Sequence, residues 1–415
     1  MTEQHNPIQG PLSGVKVLDL SRILAGPWAT QLLSDLGAEV VKIERPGRGD
    51  DSRRLGPPFL PSPEEGAKGE SSFFLSCNRG KRSVAIDIAK PEGQRLIRQL
   101  AARSDVLVEN FKVGDLARYG LDYATLSEAL PRLIYCSITG FGQTGPYSPR
   151  PGYDAVFQAM SGLMSVTGPA DGEPGAGPVK VGPSIADIVS GLFAAVGINA
   201  ALYERERTGK GRWVELGLMD GMVAALSHYA QQFLTSGIAP PRRGTEGNGG
   251  MPAGMFHCAD GKAIMITAGN DEQFVRLCEA LDSPGLATDA RFHKNSDRVE
   301  HRRVLAGLLQ ARFGAHPLAH WLLALERFGV PAGPVNDLAD VFSDPQILHR
   351  GMRIRTAHPH DPHMSLVGCP LKMPGLADAE PLPPPLLGQH TDEVLSEELG
   401  LTRDELADLR EQQVL

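Results

Sequence analysis

Val15-Lys16-Val17-Leu18, then Leu24-Ala25-Gly26-Pro27, then Trp28 to Leu36, then Glu39-Val40-Val41-Lys42-Ile43 is the stretch from which the rest of the chain can be read. It predicts a short buried strand, a turn, a helix and a second strand, which is one βαβ unit. A dinucleotide-binding version of this unit carries Gly-x-Gly-x-x-Gly at the turn and an acidic residue closing the second strand. Here Gly26 is the turn's lone glycine, and Pro27 follows it. Glu44 is in place, but Arg45 comes next, and a basic residue there suits a phosphorylated ribose better than a bare one. A plain surface arginine is the alternative.

The alternation continues outward. Ser83 to Ile88 reads as a strand, Pro91 to Ala102 as a helix with proline in its first turn, Val106 to Glu109 and Leu133 to Thr139 as further strands. Strands alternating with helices imply an α/β fold with a mainly parallel sheet covered on both faces. Ligands on such sheets gather beyond the carboxyl ends of the strands, so Asn110, Phe111, Arg118 and the Thr139–Gly142 turn are candidate contacts. The Pro46–Gly69 interval, rich in proline, glycine and charge, reads as a surface excursion. Beyond Arg212–Leu218, a strand, the region from Pro240 to Phe328 changes character: a glycine loop at Gly244–Gly250, a hairpin signal over Met255–Cys258 and Ala263–Thr267, and amphipathic helices. It is expected to form a smaller α+β domain. Two short strands, Met352–Thr356 and Met364–Val367, and a polar helical tail follow, and this last part is expected to return to the large domain. The boundaries expected are 1–225 and 329–415 for the large domain and 240–328 for the small one.

A chain of 415 residues with 41% hydrophobic residues can bury more than one core. Its 47 glycines and 33 prolines indicate long loops rather than low complexity. A net charge of −8 gives no general attraction to nucleic acid or to an anionic membrane, so neither is an expected partner, and an anionic ligand must meet a local basic site. The five cysteines are far apart and contain no Cys-x-x-Cys, which argues for a reducing compartment and against structural zinc. With a polar Met1–Gly10 and no window of membrane-spanning length, a cytoplasmic protein is expected. His358-Pro359-His360-Asp361-Pro362-His363 invites a metal reading, but its prolines and the lack of a partner cysteine or glutamate favour a solvated loop, and no metal is expected. No Ser-His-Asp signature, phosphate-binding P-loop or tandem repeat is present.

One further stretch carries chemistry. Gly182-Pro183-Ser184-Ile185-Ala186-Asp187 runs into a long helical pattern, and Ser184 with Asp187 matches the helix-start pattern [ST]-x-x-[DE]. The aspartate is then expected in the first turn, where backbone N–H groups favour its ionised form, a usable nucleophile. A capping box with no further role is the bland alternative.

Taken together, Leu18–Pro27, Ala38–Pro46, Val108–Phe111, Gly152–Ala155, the Asp187 helix start and Leu387–Asp392 resemble the class III coenzyme A transferases, from about Leu12 onward. Gly56–Phe59, Ile134–Pro146 and Pro384–Gly388 look most like the succinyl/glutaryl-CoA dicarboxylate transferases of that family. The resemblance implies a Rossmann-like large domain made from both chain ends, a small domain, and two subunits interlocked as a homodimer. It implies that Asp187 attacks an acyl-CoA thioester and carries an aspartyl anhydride and an aspartyl-CoA thioester in turn. Acyl-CoA and a carboxylic acid are the implied substrates, with no tightly bound cofactor. Succinyl-CoA as donor and a dicarboxylate such as glutarate as acceptor follow from the subgroup. Backbone N–H groups of Gly247, Gly249 and Gly250 would stabilise the oxyanion, although Gly244–Gly250 departs from the four-glycine run of formyl-CoA transferase. For CoA itself the resemblance points to Ala25, Arg45, Ile86, Asn110, Phe111, Arg118, Thr139 and Phe141. Leu24 stands where formyl-CoA transferase has a glutamine, which argues against a formate and oxalate pair. The rival within the fold is an α-methylacyl-CoA racemase, whose Gly-His-Asp triplet is Gly152-Tyr153-Asp154 here, and a tyrosine, with its reference pKa of about 10, is a poor base. A non-catalytic CoA-binding protein is the third reading.

Overall fold

The computed structural model describes residues 10–62, 68–247, 249–373 and 381–415. The polar stretch at 1–9, the middle of the Pro46–Gly69 excursion and Asn248 of the glycine loop lie outside the described residues.

Strand β1 (Lys16–Asp19), helix α1 (Ala25–Asp35) and strand β2 (Glu39–Glu44) form the βαβ unit read from the sequence. After them come β3 (Lys81–Ala85), α2 (Pro91–Ala101), β4 (Val106–Glu109) and β5 (Ile134–Thr139), then α3 (Asp154–Met160), the 24-residue α4 (Ile185–Thr208) and β6 (Trp213–Gly217). The six strands make one parallel sheet in the order β3-β2-β1-β4-β5-β6. That order reverses direction between β1 and β4, where Val17 pairs with both Val40 and Val106. Central parallel strands are covered on both faces, which is why they read as near-continuous Val, Ile and Leu. One face carries Val17, Val40, Val106, Val108 and Ile138 against α1 and α4. The other carries Leu18, Leu107, Leu133 and Tyr135 against α2 and the chain's last helices, α10 (Thr391–Leu399) and α11 (Arg403–Glu411).

Helices α1 and α4 approach closely at one point. A Cβ placed on Gly191 would lie 2.7 Å from the Ala25 carbonyl oxygen and 3.0 Å from Trp28 Cδ1, so only glycine lets the two backbones meet there. The C-terminal stretch closes the β3 edge: His390 N donates to the Ser83 carbonyl (2.9 Å), Gly388 N to Ser83 Oγ (2.9 Å), and Asp87 N to the Val414 carbonyl (2.8 Å).

Cα proximity divides the chain into two units, the first made of residues 1–163, 181–237 and 346–415 and the second of 164–180 and 238–345. The first holds the sheet. It also holds α5 (Leu218–Ala225) and α6 (His228–Ser236), separated at Ser227 by a backbone with φ of 46°, whereas Gly221–Leu234 reads from the sequence as helical throughout. In the second, β7 (Ala253–His257) and β8 (Ala263–Thr267) form the expected hairpin, packed with α7 (Asp271–Ala280), α8 (Arg302–Phe313) and α9 (Leu318–Arg327). The short β9 (Ala332–Pro334) adds to β8, so this unit runs past Phe328. Ala-Gly-Pro gives no alternating apolar signal, and the strand is defined by its partner.

The His358–His363 segment is not the solvated loop expected of it. Strands β10 (Arg353–His358) and β11 (Asp361–Val367) pair through it, and His358 is 3% exposed. Pro359 sits in the tight turn and Pro362 at the second residue of β11, positions a two-stranded ribbon tolerates. Among the described residues no group of three or more His, Cys, Asp or Glu side chains is placed to hold a metal ion.

Candidate active site

Beyond the carboxyl ends of β1 to β4 lies a cavity of about 320 Å³. The sequence reading placed Arg45, Ile86 and Phe111 among ligand contacts, and all three line it. Arg22, Arg48 and Tyr119 line it too, and these were not read from the sequence. Arg22 and Arg48 share the Asp51 carboxylate at 3.3 and 3.2 Å, and Arg22 lies over the Phe111 ring at 5.2 Å. Arg45 is in no ion pair among the described residues, which leaves its guanidinium for a ligand anion. Glu44, Asp50, Asp51 and Asp87 line the cavity as well, but Glu44 is paired with Arg53, Asp50 with Lys42 and Asp51 with Arg22 and Arg48, so Arg45 is the lining guanidinium outside these pairs and the local cation that an acidic chain offers a polyanion here.

The other candidate contacts lie elsewhere. Asn110 spends both ends of its amide on Arg22, accepting from its backbone N–H at 2.8 Å and donating to its carbonyl at 2.7 Å. Arg118 pairs with Asp115 at 2.9 Å and is not part of the lining. Thr139 ends β5 and is outside the cavity lining, and Phe141, just past it, packs on the opposite face of the sheet, where it meets Phe157 of α3 edge-on at 5.1 Å. Ala25 is buried at the start of α1, with its carbonyl against Gly191. The sequence grouped these residues by the strand ends they follow; the pleat sends them to different faces.

Asp187 sits in the first turn of α4, half-buried, and its carboxylate has no hydrogen-bond partner among the described residues. The expected capping box is absent, since the Ser184 side chain makes no cap hydrogen bond. Asp154, from the first turn of α3, takes that place: its Oδ1 accepts from Ala186 N at 2.8 Å and its Oδ2 from Gln158 Nε2 at 2.7 Å. Gln158 in turn accepts from Val181 N at 2.9 Å, fixing the approach to the helix. A residue 32 positions upstream does the capping that three-residue spacing suggested for Ser184. The environment also reverses the expected charge preference. Burial, with the Asp154 carboxylate as second cause, pushes Asp187 up to about 7. A helix N-terminus favours the anion by only about 0.3–1 kcal/mol, so desolvation and like charge prevail.

In the second unit, the glycine loop is held by Asn295, which donates to the Gly249 carbonyl at 2.9 Å and accepts from Met251 N at 2.9 Å. Gly247 N is engaged with the Ala253 carbonyl at 3.3 Å, while the N–H groups of Gly249 and Gly250 have no partner among the described residues. A Cβ on Gly250 would come within 2.4 Å of Gly269 Cα, so that close backbone contact requires glycine.

The profile of CoA-transferase family III matches residues 12–391. The succinyl-CoA:glutarate CoA-transferase of Mus musculus is 45% identical over 389 residues, covering 94% of this chain and 86% of its own length. The succinate–glutarate CoA-transferase of Agrobacterium fabrum is 41% identical, covering 96% of this chain and 98% of its own. A crystal structure of a CAIB/BAIF family protein from Brucella suis superposes with a TM-score of 0.83 at 43% identity, covering 94% of this chain and 99% of that one. A Rossmann-order sheet, a cavity with three arginines at its strand ends, an aspartate in the first turn of α4 and a profile match over nearly the whole chain agree: this chain belongs to CoA-transferase family III and is an enzyme of that class.

Proposed function

We propose that this enzyme moves CoA from succinyl-CoA to a dicarboxylate such as glutarate, with Asp187 as the covalent carrier. The observation that carries the reading is the Asp187 carboxyl itself, half-buried in the first turn of α4 with no hydrogen-bond partner among the described residues and with its helix end capped by another residue. A carboxylate stripped of partners and largely of water is a better nucleophile than a solvated one. Its oxygen attacks the thioester carbonyl, the C–S bond breaks, and CoA leaves as thiolate from a mixed acyl-aspartyl anhydride. The thiolate then attacks the aspartyl carbonyl, releasing the donor acid and leaving an aspartyl-CoA thioester. The acceptor carboxylate attacks that thioester and expels CoA again. Attack of CoA on the acceptor's carbonyl in this second anhydride gives the new acyl-CoA and restores Asp187. The chemistry needs no resident cofactor, because the substrate brings the thioester.

The names of the relatives at 41–45% identity support the acid pair. The arginine-lined cavity supports Arg45, Ile86 and Phe111, joined by Arg22 and Arg48, as the CoA site. For the oxyanion the free amides of Gly249 and Gly250 are preferred to the engaged amide of Gly247. The racemase alternative is disfavoured because Tyr153, in the place of its base, is 77% exposed. We also read the protein as a cytoplasmic homodimer of interlocked subunits. Leu192, Phe193, Val196 and Tyr203 leave an apolar face of α4 exposed, and a second copy is the surface that covers it. Contrary to the sequence expectation of no window of membrane-spanning length, helix α4 is long and apolar enough to cross a membrane, but 44% of its apolar window is already buried in this chain. All five cysteines are free thiols, in keeping with a reducing compartment.

Incubating the enzyme with acyl-CoA and trapping with hydroxylamine or borohydride, then mapping peptides by mass, should place the modification on the peptide holding Asp187. Asp187→Asn should fold, bind CoA and lose transfer. Modification of Asp154 or of a cysteine, with Asp187→Asn still active, would overturn the mechanism.

A further inference from the structure

Between β1 and α1, at the point where the strand order reverses, the chain makes a turn whose every backbone polar group over three residues meets a side chain, two of them from strands β1 and β2 and the others from loops. Ser21 N donates to Asp19 at 2.9 Å, and the Ser21 carbonyl accepts from Lys42 at 2.7 Å. Arg22 is held at both N–H and carbonyl by Asn110. Ile23 N donates to both oxygens of Asp50, at 3.0 and 3.2 Å, and the Ile23 carbonyl faces Cys77 Sγ at 3.6 Å. The anchors are buried ions: Lys42 meets Asp50 at 2.9 Å with both side chains fully enclosed. Lys42, with the N–H groups of Ser52 and Ile23, outweighs burial and pushes Asp50 down to about 2.

What these anchors hold is unfavourable by itself. Ile23 has φ of 67°, a left-handed backbone in a β-branched residue, and such a conformation persists only where its surroundings over-determine it. Strain of this kind concentrates at functional sites. The turn's two ends explain its presence here. Arg22 lines the cavity, and two residues past Ile23 the Ala25 carbonyl packs on Gly191, one helical turn beyond Asp187 on the same side of α4. The turn is therefore the short covalent path between the CoA cavity and the helix that carries the nucleophile.

We propose that Asp50, with Lys42 as its counter-ion, is a positioning residue for acyl transfer: by holding Ile23 left-handed it sets α1 against α4 and so fixes Asp187 relative to the bound thioester. This rests on Asp187 as the nucleophile. Asp50 borders the cavity, but its carboxylate is enclosed and occupied by Lys42 and by the N–H groups of Ile23 and Ser52, so its effect passes through the turn; a displacement of about 1 Å at a reacting centre costs up to about 100-fold in rate.

The test compares full-length wild type, Asp50→Asn, Ile23→Gly and the double variant. Rates of CoA transfer from succinyl-CoA to glutarate and of single-turnover acyl-enzyme formation are measured, with CoA affinity by calorimetry. Asp50→Asn should lower kcat by about 30-fold or more while CoA affinity changes by less than about threefold. Glycine adopts the left-handed backbone without help, so the double variant should return to within about threefold of Ile23→Gly alone. The proposal is overturned if Asp50→Asn keeps the wild-type kcat, if CoA affinity falls in step with the rate, or if glycine gives no recovery. If Asp50→Asn does not fold, the double variant decides: folded and active supports the proposal, whereas folded and inactive, or unfolded, overturns it. Asp187→Asn run in parallel separates the two readings, since its activity bears on the nucleophile and the glycine rescue bears on the turn.

Discussion

Asp187 and Asp154 illustrate how far single residues could be read. The position of Asp187, the proposed nucleophile, at a helix start was legible from Gly182–Asp187 alone, but its cap was not, because the residue that satisfies Ala186 N lies on another helix. Its charge state was not legible either, since sequence spacing reports the nearby N–H groups and not the burial that opposes them. Two outcomes follow from a carboxyl raised to about 7 by burial first and Asp154 second. Only the anion attacks, so the rate of acyl-enzyme formation should rise with pH through about 7. In Asp154→Asn, which keeps an acceptor for Ala186 N but removes the neighbouring charge, stopped-flow pH profiles should show that limb moved to lower pH, still above the ordinary carboxyl range because burial remains. The second outcome concerns stability. A carboxyl whose folded pKa is raised holds its proton in the native state after the unfolded chain has lost it, so stability falls as pH climbs from about 4 to about 7 and levels off above. Asp187→Asn escapes this, and urea titrations should find it as stable as wild type near pH 4 but more stable at pH 8, by on the order of 2–4 kcal/mol. An equal gain at both pH values would show that the buried charge is not its source.

Among the elements, the first βαβ unit and the strands after it were legible because parallel central strands declare themselves by apolar runs. The pieces that were missed take their structure from partners: β9 from β8, the extension of the two expected strands β10 and β11 into the proline-containing segment between them, and the break between α5 and α6 at Ser227. The buried cations Lys42 and Lys81 are intermediate cases. A lysine inside Glu39-Val40-Val41-Lys42-Ile43-Glu44 signals an unusual strand, but its partner Asp50 and the turn it serves appear only in three dimensions. At the contact of α1 with α4, Gly191→Ala would force a methyl group into the space of the Ala25 carbonyl and Trp28. We expect a loss of about 1–3 kcal/mol of stability, seen by thermal or urea unfolding, and a fall in kcat larger than any change in CoA affinity, because the displaced helix carries Asp187. Unchanged stability and turnover would mean that the two helices can separate at no cost.

For the whole molecule, a mainly parallel sheet covered on both faces was implied by the alternation, whereas its order 3-2-1-4-5-6 appears only in the structure and places the ligand cavity at the reversal, where such folds bind ligands. The assembly is the part that sequence patterns alone could not express, since the apolar face of α4 reads as an ordinary helix until its exposure is seen. Sedimentation equilibrium at micromolar concentration should give twice the 44.5 kDa chain mass, and charges introduced at Val196 and Tyr203 should shift it towards the monomer. A monomer in the wild type would leave that face without its proposed cover. The return of the C-terminal stretch to the β3 edge has a consequence for biosynthesis. Asp87, at the rim of the cavity, gives its N–H to Val414, and Ser83 waits for Gly388 and His390. A ribosome that has released the whole second unit has still not supplied these partners. The nascent enzyme therefore carries an unfinished sheet edge through most of its translation, and Asp87 at the cavity rim gains its C-terminal partner only as the last helices emerge.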